Sequence, residues 1–362
     1  MKGKNQYKSV LVILLAILFM IACFSMTASA KTYKLTIGCG GPADPLPFVK
    51  PVRDFWCPEV AKRVEKATGH KIKWNFAFGG AVAKLGDEFE AIESGLLDGG
   101  IVFPIFENPE LFLHNFGYFA PFGSPDIELA TKVNLKVYDN NPWLKDVFHQ
   151  KYNQKWVGAF TYESYELITK FPVKTIKDLK NHKIAAAGPN LPWIKTVGCV
   201  PVQSHLVEAY TSLQAGVYEG WVMTPSYTWG FKLHEVAPHL TYTGFGCISA
   251  GSLTINLDVW ESLPRKVQDI MMEVGREYSY VVAKATQAKA EIAVKDMKEK
   301  GVRFYTLPQE EKRKWLKLIS GLAKQKAKEA DKFGQPGTQV MKYYVDEMAK
   351  AGYEWPIKWV IK

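Results

Sequence analysis

Residues 33–38 form an apolar, strand-like run, and over 71–78 apolar and polar positions alternate, with Ile72, Trp74 and Phe76 two apart, so both stretches are predicted as strands. Between them Val60, Ala61 and Val64 share one helical face that ends at Gly69. Beyond the second strand Leu85, Phe89, Ile92 and Leu96 recur at helical spacing and lead to a third strand over 101–103. Strand, helix, strand, helix, strand is the signature of an α/β fold, a mainly parallel sheet with helices on its faces, whose ligands bind beyond the carboxyl ends of the strands. Glycines at 40, 41, 79 and 80 suit close backbone approach there, and suit simple turns equally well.

The aromatic run over 112–122 reads first as core and second as a pocket wall. Residues 156–160 form another strand, and the chain changes character over 161–170, where a second alternating unit begins. That unit holds a strand near 184–187 and a helix with Leu206, Ala209, Tyr210 and Leu213 in one stripe, for which Ser204 is the expected N-cap. A strand over 253–256, a long helical pattern over 264–301 and a strand over 302–305 follow. Thr306 and Gln309 are spaced as a capping box for a helix carrying Trp315, Ile319 and Leu322, and a last helix is expected over 338–350.

The first thirty residues place the protein. Lys2, Lys4 and Lys8 precede an apolar run over 10–24, and Ala28-Ser29-Ala30 is a small-residue cleavage pattern, so residues 1–30 are expected to be a secretory signal and the product periplasmic. A lipid anchor on Cys23 is the weaker reading, because Met20 fits a lipoprotein box poorly. Loss of three lysines with the signal takes the formal charge from +10 to about +7. The lysines scatter along helices without clustering near aromatics, so no nucleic-acid partner is expected, and the basic run over 312–328 reads as a solvated helix face.

Of five cysteines, Cys39, Cys57, Cys199 and Cys247 follow the signal, and an oxidising compartment allows the pairs Cys39 with Cys57 and Cys199 with Cys247. The seven histidines form no ligand spacing, so no metal and no cofactor are expected. Ser204 and His205 are adjacent and cannot face one another from a helix start, which leaves no nucleophile and base in register and no expectation of an enzyme.

Five ordered segments, FEAIESGLLDGGI (89–101), FPVKTIKDLKNHKI (171–184), EAYTSLQAGVYEG (208–220), KLHEVAPHLTYTG (232–244) and INLDVWESLP (255–264), make the mature chain resemble the solute-binding subunit of tripartite ATP-independent periplasmic (TRAP) transporters, the extracytoplasmic dicarboxylate-binding-protein family. The resemblance implies a two-lobed periplasmic binding protein of type II character, each lobe a mainly parallel sheet flanked by helices, with a long helix spanning both. One lobe is expected to hold 31–162 with 251–295, the other 163–250 with 296–362. It further implies a monomer that shuts on a small solute by hinge closure and hands it to membrane subunits. A ligand-presenting receptor for a membrane sensor is the alternative in a different class.

The departures from the family pattern define the expected site. Where the family places an arginine after K-I the chain has Ala185, a second family arginine corresponds to Glu166, and the asparagine of D-G-x-x-N corresponds to Met223; no arginine occurs between Arg63 and Arg265. The bidentate fork that grips a carboxylate is therefore missing, and lysine does not reproduce its geometry. One reading is an organic acid with an aromatic or hydrophobic body, held by lysine, hydroxyl or backbone N–H groups near Gly188, Pro189 and Asn190, against Phe103, Trp193, Trp221, Met223, Tyr227 and Trp229. In the other, Glu163 or Glu166 meets a cationic solute. Each tryptophan has core packing as its plainer explanation.

Overall fold

The computed structural model describes residues 30–362 apart from 45 and 108, so the expected signal and Cys23 lie outside the described residues. Eleven strands are defined there: β1 (Thr32–Cys39), β2 (Lys71–Phe78), β3 (Gly99–Val102), β4 (Gln154–Tyr162), β5 (Glu166–Thr169), β6 (Lys183–Ala186), β7 (Val200–Gln203), β8 (Gly220–Met223), β9 (His239–Tyr242), β10 (Ile248–Asn256) and β11 (Arg303–Thr306). They form two sheets, ordered β2-β1-β3-β10-β4 and β11-β9-β5-β8-β6-β7.

Each sheet is parallel except for one strand. In the first the exception is β10, antiparallel to β3 and β4; in the second it is β5, antiparallel to β8 and β9. Both exceptions are strands delivered from the other sheet, since β4 runs through residues 163–165 into β5, and β9 runs through 243–247 into β10. Helices cover both faces, so β3, β5, β8 and β10 are buried along their full length, as continuous apolar runs in parallel sheets should be. The expected two-lobed α/β architecture is present.

Helix Arg265–Glu299 spans the lobes. Its first half lies on β4 so closely that a Cβ on Gly275 would stand 2.0 Å from the Val157 carbonyl oxygen, while Gly158 faces the Gly275 carbonyl. Its far end packs Ala293 and Met297 against Leu240 of β9 in the second lobe.

The terminal helices do not all stay with the second lobe, as the sequence division implied. Helix Gln309–Leu318 does, through Trp315 Nε1 to the Trp193 carbonyl at 2.7 Å. Helices Leu322–Lys332 and Gly337–Lys350 return to elements that follow the first sheet: Gln335 accepts from the Leu113 amide, and Lys136 pairs with buried Glu347 at 3.2 Å. The apolar stripe of Gly337–Lys350 finds its partner on helix Ile127–Asn140, and sequence order alone does not reveal that.

Local corrections are small and physical. The Leu85-to-Leu96 stripe shrinks to helix Glu88–Glu93, because Gly86 and Gly95 take positive φ at its two ends and leave Leu85 and Leu96 exposed. Pro308 caps helix Gln309–Leu318 without a side-chain bond, so Thr306 and Gln309 form no capping box. Ser204 bonds the Glu208 carboxylate, and His205 takes the N-cap position instead. All four described cysteines are buried free thiols, which removes both expected disulfides: Cys199 donates to the Ile194 carbonyl and Cys247 to that of Pro125.

Candidate functional site

Parallel strands aim their carboxyl ends at one another across the junction of the lobes. From the first sheet come the exits of β1, β3 and β4; from the second come the exits of β6 and β8 and the start of β5, which runs the opposite way. Of the residues expected at the site, Phe103 follows β3, Glu163 follows β4, Asn190 ends the turn after β6, Met223 ends β8, and Tyr227 lies in the short helix Pro225–Gly230 beyond it. These five converge on the junction.

The wall on the first lobe is aromatic. Phe48 stacks on Phe160 with ring centres 5.0 Å apart and meets Phe103 edge-on at 5.5 Å. Tyr162, at the end of β4, continues the series, lying 5.8 Å from Phe48 and 5.7 Å from Tyr227 of the other lobe. Rings placed edge to face in this way supply apolar surface and fixed orientation together. The wall on the second lobe is polar. Thr224, Ser226, Tyr227 and Thr228 each bury a hydroxyl that makes no close, well-aligned hydrogen bond within the described residues, those of Thr224 and Ser226 lying toward Glu163 and that of Tyr227 toward Tyr162, and the Asn190 amide nitrogen and Trp221 indole nitrogen are also unmet. Such atoms cost roughly 1–3 kcal/mol each when left unmet, so a run of them marks a place where partners arrive from outside the chain.

Glu163 sits among them. It is 5% exposed and its Oε1 accepts the Ser226 amide proton at 2.9 Å. Burial pushes its carboxyl up to about 7, against the pull of Ser226 and Thr224 toward ionisation. The opposing charge comes from Lys289 on the long helix, whose ammonium is lowered by desolvation and raised by attraction to Glu163 and to Asp44 on the loop after β1.

Glu166 has a different place. Its Oε2 accepts from the Gly244 amide at 2.7 Å and the Thr243 hydroxyl at 3.2 Å, so it ties the two crossings together, with Lys312 close enough that its ammonium would stand 2.7 Å from a Cβ on Gly244. Ala185 and Trp221 are paired neighbours within the second sheet, and Trp221 is 1% exposed. Trp193 is wholly buried between Tyr118, Tyr165 and Phe245, its indole N–H given to the Tyr118 carbonyl at 2.8 Å. Trp193 and Ala185 are thus packed within the second lobe, with no exposed surface in this structure. Trp229 donates to Asp296 on the long helix and is likewise engaged.

The arginines that precede the gap are occupied too. Arg53 pairs with Asp44 and Asp54, and Arg63 makes a two-pronged contact with Glu277 at 2.7 Å. Three surface hollows, beside Gln335, Lys284 and Arg276, lie on the outer faces and include none of the residues at the strand ends. The sequence reading missed Phe48, Tyr162, Thr224, Ser226 and Lys289. Tyr162 was accessible in principle, as the last residue of a strand in an α/β fold; Lys289 was not, because nothing in a long amphipathic helix marks the lysine whose charge is felt by Glu163.

The profile of bacterial extracellular solute-binding proteins, family 7, matches residues 57–329. The chain belongs to that family. Family 7 relatives include a solute-binding protein of Sulfitobacter sp. strain NAS-14.1, 29% identical over 136 residues, which are 37% of this chain and 41% of the relative, so the match spans about two-fifths of that relative's length. The fold is shared with the TRAP periplasmic solute-binding protein of Desulfovibrio salexigens, whose open structure has the C-terminus of a symmetry mate in its ligand-binding site: TM-score 0.75, 19% identity, 90% of this chain and 98% of that one. It is also shared with the TRAP protein of Bordetella bronchiseptica solved with (R)- and (S)-mandelate: TM-score 0.73, 21% identity, 88% and 99% covered. Family 7 consists of substrate-binding proteins, in keeping with a site built of walls and hydrogen-bonding groups.

Proposed function

We propose that this chain is the periplasmic solute-binding subunit of a TRAP-type transporter, closing on a small organic acid with an aromatic or hydrophobic body and delivering it to membrane subunits. The observation that carries the reading is the pairing, at the strand ends, of an aromatic wall from one lobe with a run of unpartnered buried hydroxyls from the other. A flat apolar body satisfies the first and a polar head the second. Phe103, Glu163, Asn190, Met223 and Tyr227 are the proposed contacts from the expected set, with Tyr162 and Thr224 beside them. Lys289 supplies positive charge in place of the missing guanidinium, as a point charge without a fork. The Bordetella relative's mandelate is an aromatic acid of this size.

The buried carboxylate of Glu163 favours a second reading, a cationic solute held by charge and ring faces. A thermal-shift screen of aromatic acids, aliphatic dicarboxylates, amines and polyols separates the two, since a bound solute raises the unfolding temperature by mass action. Tight binding of succinate with failure of every aromatic compound overturns the proposal; response to amines alone selects the second reading.

A further inference from the structure

The cleft holds an acceptor where an organic acid is expected to bind, and that acceptor limits which acid fits. Glu163 leaves the first sheet at the end of β4, and Oε1 already takes the Ser226 amide at 2.9 Å. A carboxylate offers about four lone-pair sites, and one amide fills only one of them. The buried hydroxyls of Thr224 and Ser226 lie toward it and that of Tyr227 toward Tyr162, none in a close, well-aligned bond, and each can turn its proton toward or away from an incoming group.

A solute carboxylate set directly against Glu163 meets like charge in a water-poor site. The groups facing Glu163 from the other elements decide where the anionic end goes instead. From the second sheet there are Glu166 and Tyr242, from the crossings Tyr165 and Cys247, from helix Pro225–Gly230 Tyr227, and from the long helix Lys289. Lys289 is the cation of that set. The anionic end therefore turns away from Glu163, the ring to Phe48, Phe103 and Tyr162, and the third point of the solute to Glu163.

We propose that Glu163 is a specificity-determining residue that accepts a hydrogen bond from a hydroxyl or amine next to the solute's carboxylate, so that the cleft selects aromatic hydroxy or amino acids over the corresponding plain acids. This rests on the organic-acid reading above and narrows it. A site built to pair a donor rejects the analogue that lacks it, because the buried acceptor is then left unmet.

Isothermal titration calorimetry at pH 8 with mandelate, phenylacetate and benzylamine tests it on the mature protein and on Glu163→Gln and Glu163→Ala. Mandelate and phenylacetate differ by one hydroxyl. The expected result is mandelate bound about tenfold or more tightly than phenylacetate, with the ratio falling toward one in Glu163→Ala. Equal binding of the two acids by the wild type, or an unchanged ratio in a folded Glu163→Ala, overturns the assignment. If the alanine variant fails to fold, Glu163→Met, of similar length and without a comparable acceptor, carries the test through the same ratio, while Glu163→Gln, which keeps an acceptor oxygen, should hold the ratio above one. Benzylamine binding alone, lost in the variants, keeps the acceptor role and overturns the organic-acid reading; binding of none of the three overturns the aromatic-solute reading beneath both.

Discussion

Glu166 accepts the amide proton of Gly244 at 2.7 Å, and this contact fastens the start of β5 to the segment that carries the chain back toward β10. The carboxylate also holds the Thr243 hydroxyl. A residue expected to touch solute is thus spent on joining two hinge segments. Glu166→Ala leaves a buried amide unmet and is expected to cost about 1–3 kcal/mol in urea unfolding, whereas Glu166→Gln, which keeps an acceptor, should cost less. A Glu166→Ala protein as stable as wild type would show that the tie contributes nothing.

Glu163 gives the molecule a pH dependence with a definite sign. Its carboxyl, raised to about 7 by burial, holds its proton in the folded chain over a range where the unfolded chain has released it. Folding takes up a proton there, so this group's contribution is most favourable at and below the ordinary carboxylate range, declines as pH climbs through 7, and levels off above. The Glu163→Gln variant should gain stability relative to wild type as pH rises from 5 to 8, by at most ~3 kcal/mol. Glu107, pushed up to about 8 by burial, contributes a slope of the same sign that the variant retains. Parallel curves for the two proteins in chemical denaturation across this range would remove Glu163 as the source.

Gly275 tests the seating of the long helix. Alanine normally favours a helix interior over glycine by about 1 kcal/mol. Here its Cβ would stand 2.0 Å from the Val157 carbonyl oxygen, which is backbone and cannot swing aside. Gly275→Ala should therefore destabilise, by about 2 kcal/mol or more, in a urea melt. A gain in stability would mean that the helix rides higher on β4 than described.

The thiols should be titratable. Denatured without reductant, the mature protein is expected to expose four groups to a thiol reagent, corresponding to Cys39, Cys57, Cys199 and Cys247. The folded protein should react slowly, since all four are buried, and added reductant should leave its unfolding temperature unchanged. Two titratable groups or none in the denatured sample would reinstate one or both bridges.

Trp193 and Tyr227 separate core from site. Trp193→Ala should lower stability by about 3–5 kcal/mol, because it empties a space closed by Tyr118, Tyr165, Phe245 and Trp315. Tyr227→Phe removes one unpartnered hydroxyl and should leave stability at or above wild type while weakening solute binding. The opposite pattern, measured by denaturation and calorimetry, would exchange their roles.

The first sheet was legible because its strands and helices alternate with clean periodicity, and β1 with β2 pair in register over their full lengths as that pattern implies. The lobe crossings were not, because residues 163–165 and 243–247 carry no turn chemistry that distinguishes a hinge from any loop. Phe103, Glu163, Asn190 and Met223 all lie at or just beyond strand ends, where an α/β fold is expected to bind its ligands. No such guide served for Trp193, where composition alone suggested a wall: a large ring suits a pocket and a core equally, and only the Tyr118 carbonyl, 75 positions away, decides between them. The return of the last two helices to the first lobe follows from contacts such as Gln335 with Leu113, separated by 222 residues, which no local pattern encodes.

β10 lies between β3 and β4, although it follows them by a long stretch of chain. Until that strand has been made, β4 has no correct neighbour to join, and β3, paired with β1 on one side, has its other edge open. The three strands β2, β1 and β3 can join early while β4 waits for its partner, which makes premature pairing of β3 with β4 the natural misstep and gives a chaperone a defined interval in which to act.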